Sequence, residues 1–69
     1  MPSRAIETIQ YDGASRRLAV GFTGSGRTYV FFEVPYGVVE AFANARSKGA
    51  YFNRHIKDRY AFEQLTEAV

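Results

Sequence analysis

With 69 residues, no cysteine and a single histidine, the chain has room for one domain and excludes both a disulfide scaffold and a His/Cys metal cluster. Its 46% hydrophobic and 23% charged residues exclude wholesale disorder, and no apolar run approaches the roughly 18–20 residues needed to span a bilayer. The net charge of +2 is unevenly placed: between Arg46 and Tyr60, five cations (Arg46, Lys48, Arg54, Lys57, Arg59) face Asp58 alone, while the remainder holds four arginines against six acids.

Ala5 to Tyr11, rich in Ile, Thr and Tyr, predicts a first strand with Ile9 and Tyr11 on one face. Asp12-Gly13-Ala14-Ser15 predicts a turn in which Gly supplies a positive φ. Arg17 to Phe22 then alternates, with Leu18, Val20 and Phe22 on one side and Arg17, Ala19 and Gly21 on the other. A second turn, Thr23-Gly24-Ser25-Gly26, leads into a third strand over Thr28 to Val34, bulky and apolar on both faces. Connections this short predict antiparallel hairpins, and so a three-stranded meander. If Phe22 pairs with Arg27, Val20 lies opposite Tyr29 and Leu18 opposite Phe31; a one-residue slip would bring Val30 and Phe32 to that face instead.

Pro35 ends the strand and suits a helix start. From Tyr36 to Ala45, Val38, Phe42 and Ala45 share a helical face flanked by Val39 and Ala41. Ser47 is placed to cap a second helix reaching about Arg59, whose Phe52, Ile56 and Tyr60 recur at i, i+4, i+8 and should face the sheet. After Tyr60 the expectation is a short docked helix through Phe62 and Leu65, or a frayed end. The predicted fold is therefore α+β, a three-stranded antiparallel meander followed by two helices on one face, with an ordered core over about residues 5–63.

One motif invites misreading. Gly21 to Thr28 matches the phosphate-loop pattern G-x-x-x-x-G-K-[ST], with Arg27 in the lysine position. That loop requires a helix N-terminus directly after it, so that backbone N–H groups point at the phosphates, whereas Tyr29-Val30-Phe31-Phe32 reads as strand. The stretch is predicted to be a hairpin turn. His55 has no nucleophile and orienting acid arranged with it, and no ligand spacing accompanies it, so no catalytic residues, metal or cofactor are expected. Glu7 lies where a signal peptide would need its apolar stretch, which makes a cytoplasmic location the expectation and a membrane role unexpected.

The basic window remains. It interleaves Arg46, Lys48, Arg54, Lys57 and Arg59 with Tyr51, Phe52 and Tyr60, and RNA-binding surfaces combine cations for phosphates with exposed rings for unpaired bases. Tyr51 is the candidate for a free ring and Asn53 for a hydrogen-bonding amide. Ser47, Lys48 and Gly49 could hold a phosphate at a helix start, the structural alternative being a helix cap and a helix-joining glycine. Tyr29 and Phe31, two apart on one strand, offer a second aromatic platform unless they form the core beneath the helices. Two kinds of partner follow: RNA on the basic window, or a protein, another copy included, on the aromatic sheet face or the sheet edge.

The series Tyr11-Asp12, Leu18 to Phe22, Tyr29 to Phe31, Val34-Pro35 and Ala45 to Asn53, with Ile56-Lys57 and Tyr60, resembles the KTSC domain, a family found at the C-terminus of some lysyl-tRNA synthetases and as small stand-alone bacterial proteins. The family's Tyr-x-Tyr motif stands here as Tyr29-Val30-Phe31, which keeps the ring and loses one hydroxyl. The resemblance implies a non-enzymatic domain, and the synthetase association points toward RNA.

Overall fold

The computed structural model describes residues 6–24 and 26–65. Four strands form one antiparallel sheet in the order β1-β2-β3-β4: β1 (Ile6–Asp12), β2 (Arg17–Phe22), β3 (Thr28–Phe31) and β4 (Phe62–Leu65). Between β3 and β4 come α1 (Tyr36–Ala43) and a second helix in two pieces, α2 (Lys48–Tyr51) running into a π-helical segment, Phe52–Ile56. The fold is thus α+β as predicted, with one strand more than expected. Ala5, the predicted start of β1, and Ser25 lie outside the described residues.

Of the two registers open to β2 and β3, the structure takes the one with Val20 opposite Tyr29. Leu18 lies opposite Phe31 and Val20 opposite Tyr29, and the Phe22 N–H donates to the Arg27 carbonyl at 2.9 Å. On the other side Ile9 pairs with Val20 and Tyr11 with Leu18, so Ile9, Tyr11, Leu18, Val20, Tyr29 and Phe31 share a face. Leu18, Val20 and Phe31 from this face meet Val39 and Phe42 of α1, Ile56 and the linking residue Val34, and all seven are buried. Val39 rather than Val38 takes the innermost place on α1, where Val38 is half-buried.

The first turn is held differently from its predicted form. Gly13 supplies no positive φ; Arg16 does, at 61°. The Asp12 carboxylate accepts from the Ala14 N–H at 3.2 Å and the Ser15 hydroxyl at 2.9 Å, and the Arg16 N–H donates to the Asp12 carbonyl at 2.7 Å. An acidic side chain closing on the backbone two residues ahead makes the glycine unnecessary. In the second turn Gly24 and Gly26 do take positive φ, 85° and 70°, and a strand follows. The phosphate-loop look-alike is a hairpin.

β3 stops at Phe31, short of the predicted Val34, because Glu33 adopts a left-handed φ of 57°. Val34 is instead stitched to the first hairpin: its N–H donates to the Arg16 carbonyl at 3.0 Å, and its carbonyl accepts from the Tyr11 hydroxyl at 2.6 Å. The segment after Tyr60, expected as a helix or a frayed end, forms β4. Phe62 pairs with Phe31, Glu63 with Val30, Gln64 with Tyr29 and Leu65 with Thr28. The outer N–H and C=O groups of β3 would otherwise be an unpaired edge, and satisfying them outweighs the weak local preference of Phe-Glu-Gln-Leu.

Candidate nucleic-acid interface

The basic window occupies the link between the helices, the second helix and the turn after it. Asn44 ends α1, its backbone N–H and its side-chain amide both donating to the Glu40 carbonyl, at 3.1 and 3.0 Å. Arg46 and Ser47 follow in a short exposed link. Ser47 restarts the helix as an N-cap, its hydroxyl oxygen accepting from the Ala50 N–H at 3.2 Å. On the inner side Ile56 is fully buried, and the Phe52 ring meets Phe22, Phe31 and Phe42 at 5.3, 5.5 and 6.3 Å between centroids. These two residues hold the helix down, leaving Asn53, Arg54 and His55 exposed on its outer side.

The helix ends three residues before the expected Arg59. The Lys57 N–H donates to the Phe52 carbonyl at 2.8 Å, five residues back, and the Arg59 N–H to the Ile56 carbonyl at 3.0 Å. Asp58, at φ 66°, turns the chain toward β4. The backbone of this turn is fixed while the side chains of Lys57, Asp58 and Arg59 stand in solvent. Among the described residues, no carboxylate makes an ion pair with Arg46, Lys48, Arg54, Lys57 or Arg59. Cations near a helix C-terminus gain about 0.3–1 kcal/mol from the aligned peptide dipoles, which accounts for part of this charge and not for five residues of it.

Several predicted site residues have structural employment. Tyr51 is not a free ring: it stacks on Phe42 at 5.7 Å with 20° between planes, lies 4.5 Å from the His55 ring, and its hydroxyl donates to the Val38 carbonyl at 3.4 Å. Ser47 is a cap, and Gly49 lies inside the helical turn that it caps. The Tyr29/Phe31 platform is closed as well, since Phe31 is only 3% exposed and Tyr29 is half-buried against Phe22 and Phe62. Arg46, Asn53, Arg54, Lys57 and Arg59 stay exposed, and Lys48 is half-buried.

One ring was not anticipated. Phe62 in β4 is 52% exposed although its ring lies 5.7 Å from Tyr29 and 5.5 Å from Phe31. It shares the helix-bearing face of the sheet with Gln64, three residues past Arg59. No local pattern marks it, because its placement depends on pairing with β3. Among the described residues no three His, Cys, Asp or Glu side chains gather where they could hold a metal ion, and no helix is long and apolar enough to cross a membrane.

Comparison with known proteins decides the family, because the KTSC domain model matches residues 2–60, most of the chain. The chain belongs to the KTSC family. This KTSC domain is 41% identical over 61 residues to a lysine–tRNA ligase of Nostoc punctiforme, a match that covers 88% of the domain and 11% of the ligase. It is also 43% identical over 58 residues to a protein of Tsukamurella paurometabola, covering 84% of the domain and 85% of that protein. The crystal structure of a KTSC domain protein from Yersinia pestis superimposes with a TM-score of 0.85 at 33% identity, over 96% of this chain and 90% of that one. The same unit therefore occurs both within a much longer ligase and in proteins of about its own size.

Proposed function

We propose that this KTSC domain is a non-enzymatic RNA-binding module whose contact surface is the second helix with its flanking link and turn. The observation that carries the reading is the group of five cations, unpaired with any described carboxylate, on a backbone fixed by the Ser47 cap and the Phe52 and Lys57 hydrogen bonds. Phosphates are the partners such a surface fits, since fixed cations release condensed counterions when they meet a polyanion. The relationship to lysine–tRNA ligases supports RNA as the polyanion, because those relatives act on a transfer RNA.

A surface of about five phosphate contacts should give a log–log salt slope near −3.5 on single-stranded RNA, so affinity falls on the order of a hundredfold between 50 and 200 mM salt. A two-dimensional amide titration with a transfer RNA and with an unstructured RNA tests this. Expected are shifts confined to residues 46–60 and their neighbours, weakened by salt and lost in a Lys57→Glu/Arg59→Glu double variant. Unchanged spectra with both RNAs at low salt would refute the reading.

A second reading rests on a different observation. All four β4 residues are exposed, Phe62 by 52% and Leu65 by 51%, on a strand whose outer edge pairs with no other strand among the described residues. Such an edge can accept a strand from another chain. This reading calls for a concentration-dependent mass and little salt dependence, the opposite signature.

A further inference from the structure

We propose that the RNA taken by this surface is unpaired, and that Phe62 is the ring on which one of its bases stacks, with Gln64 beside it to meet the base edge. The proposal rests on the RNA-binding reading and adds to it the strandedness of the ligand and a contact residue from outside the basic window.

Phe62 is an apolar ring left half in water within a domain whose other phenylalanines are buried or half-buried. It is not loose: Tyr29 meets it edge-on and Phe31 at a tilt, and through Phe31 and Phe52 it continues the ring array beneath the second helix. A ring held in this way loses little side-chain freedom when a base covers it. Its position relative to the charge is set by the chain. Arg59 and Phe62 are three residues apart, so their Cα atoms are at most ~11 Å from each other, and one strand can touch both. Phe62 and Gln64 share the face of the sheet that carries the helices, while Glu63 falls on the opposite face and takes its carboxylate away from that path. Asp58 is the one acid among the nearby cations.

Strandedness follows from what the ring can reach. Bases in an A-form duplex are stacked on one another and are not presented to a protein ring, whereas unpaired bases splay out onto aromatic side chains. Cations without an exposed ring would serve a duplex equally well. Cations with a fixed, half-exposed ring and an adjacent amide fit a single strand. Tyr36, 62% exposed, is the other large open ring, but it begins α1, outside the basic segment.

The test compares a labelled oligouridylate with an RNA duplex of the same phosphate count, binding to the parent, to Phe62→Leu and to Lys57→Glu/Arg59→Glu. The parent should prefer the single strand. Phe62→Leu, which keeps apolar bulk against Tyr29 and Phe31, should weaken single-strand binding by about five- to tenfold with an unchanged salt slope, while the charge-reversed variant loses both RNAs. In the parent, the Phe62 ring-proton resonances should move with oligouridylate and stay still with duplex, a readout independent of how the variants fold. Stationary ring signals, or equal affinity of parent and Phe62→Leu while charge reversal still weakens binding, would overturn the stacking site and leave the RNA reading intact. Failure of the parent to bind either RNA would end both. Shifts in residues 62–65 that grow with protein concentration alone would assign the strand to self-pairing and overturn the proposal.

Discussion

In the meander of β1 to β3 the defining side chains point inward, whereas in the segment from Ser47 to Leu65 most of them point out. The meander contributes Leu18, Val20 and Phe31 to the core, and its turns are closed by Asp12 and by Gly24 and Gly26. The later segment has a single buried residue, Ile56, with Phe52 half-buried beside it, yet it presents Arg54, Lys57, Arg59 and Phe62 to solvent. Ile56, Phe52 and Tyr51 suffice to hold a helix whose outer side is then free for another purpose. The contrast separates stability from binding: substitutions inside the meander should act on folding, and substitutions on the outer side of the second helix on the ligand.

The largest expected effect lies in the meander. Leu18→Ala removes a fully buried side chain that lies between Tyr11 and Phe31 under the helices, and should cost about 2–5 kcal/mol in a denaturant titration. A domain of this size has only about 3–10 kcal/mol in total, so a large shift of the midpoint is expected. A loss below about 1 kcal/mol would contradict the division of labour. The charge-reversed Lys57→Glu/Arg59→Glu variant should show the converse. Its stability should stay within about 0.5 kcal/mol of the parent, while its binding to RNA is lost. Between the two lies Ser47, which belongs to the basic window by sequence and to the scaffold by structure. Ser47→Ala should cost about 1 kcal/mol of stability by freeing the Ala50 N–H, and a change in RNA affinity without that loss would return Ser47 to the contact surface.

The same contrast governs what could be read from the residues alone. The alternation of Leu18, Val20 and Phe22 and the short glycine turn mark a β2–β3 hairpin, because both are local signals. But β3 is apolar on both faces, so its register, with Leu18 opposite Phe31, is decided by packing that no local pattern shows. The Ser47 cap and the Phe52/Ile56 spacing are local too, and both hold. β4 escaped because strand formation there answers an unpaired edge about thirty residues earlier in the chain. Tyr51 was misplaced for a related reason: helical periodicity sets it on the flank of its own helix but says nothing of the Val38 carbonyl and Phe42 ring that α1 brings to it. The exposed cations were found from composition, since charge needs no partner to be visible; Phe62 was not, since its exposure is a property of the sheet.

β4 also has a bearing on synthesis. It is the last element that the chain contributes to the sheet, and at about 5–20 residues per second it leaves the ribosome after β3 and both helices. Until then the outer edge of β3 is bare and Phe31 lacks its Phe62 neighbour, so the nascent domain carries an open template for pairing with other chains. A chain ended after Tyr60 would keep that template permanently, and its mass should rise with concentration under conditions where the 69-residue chain stays unassociated. The fourth strand thus ends a period in which the edge of β3 can be captured by another chain.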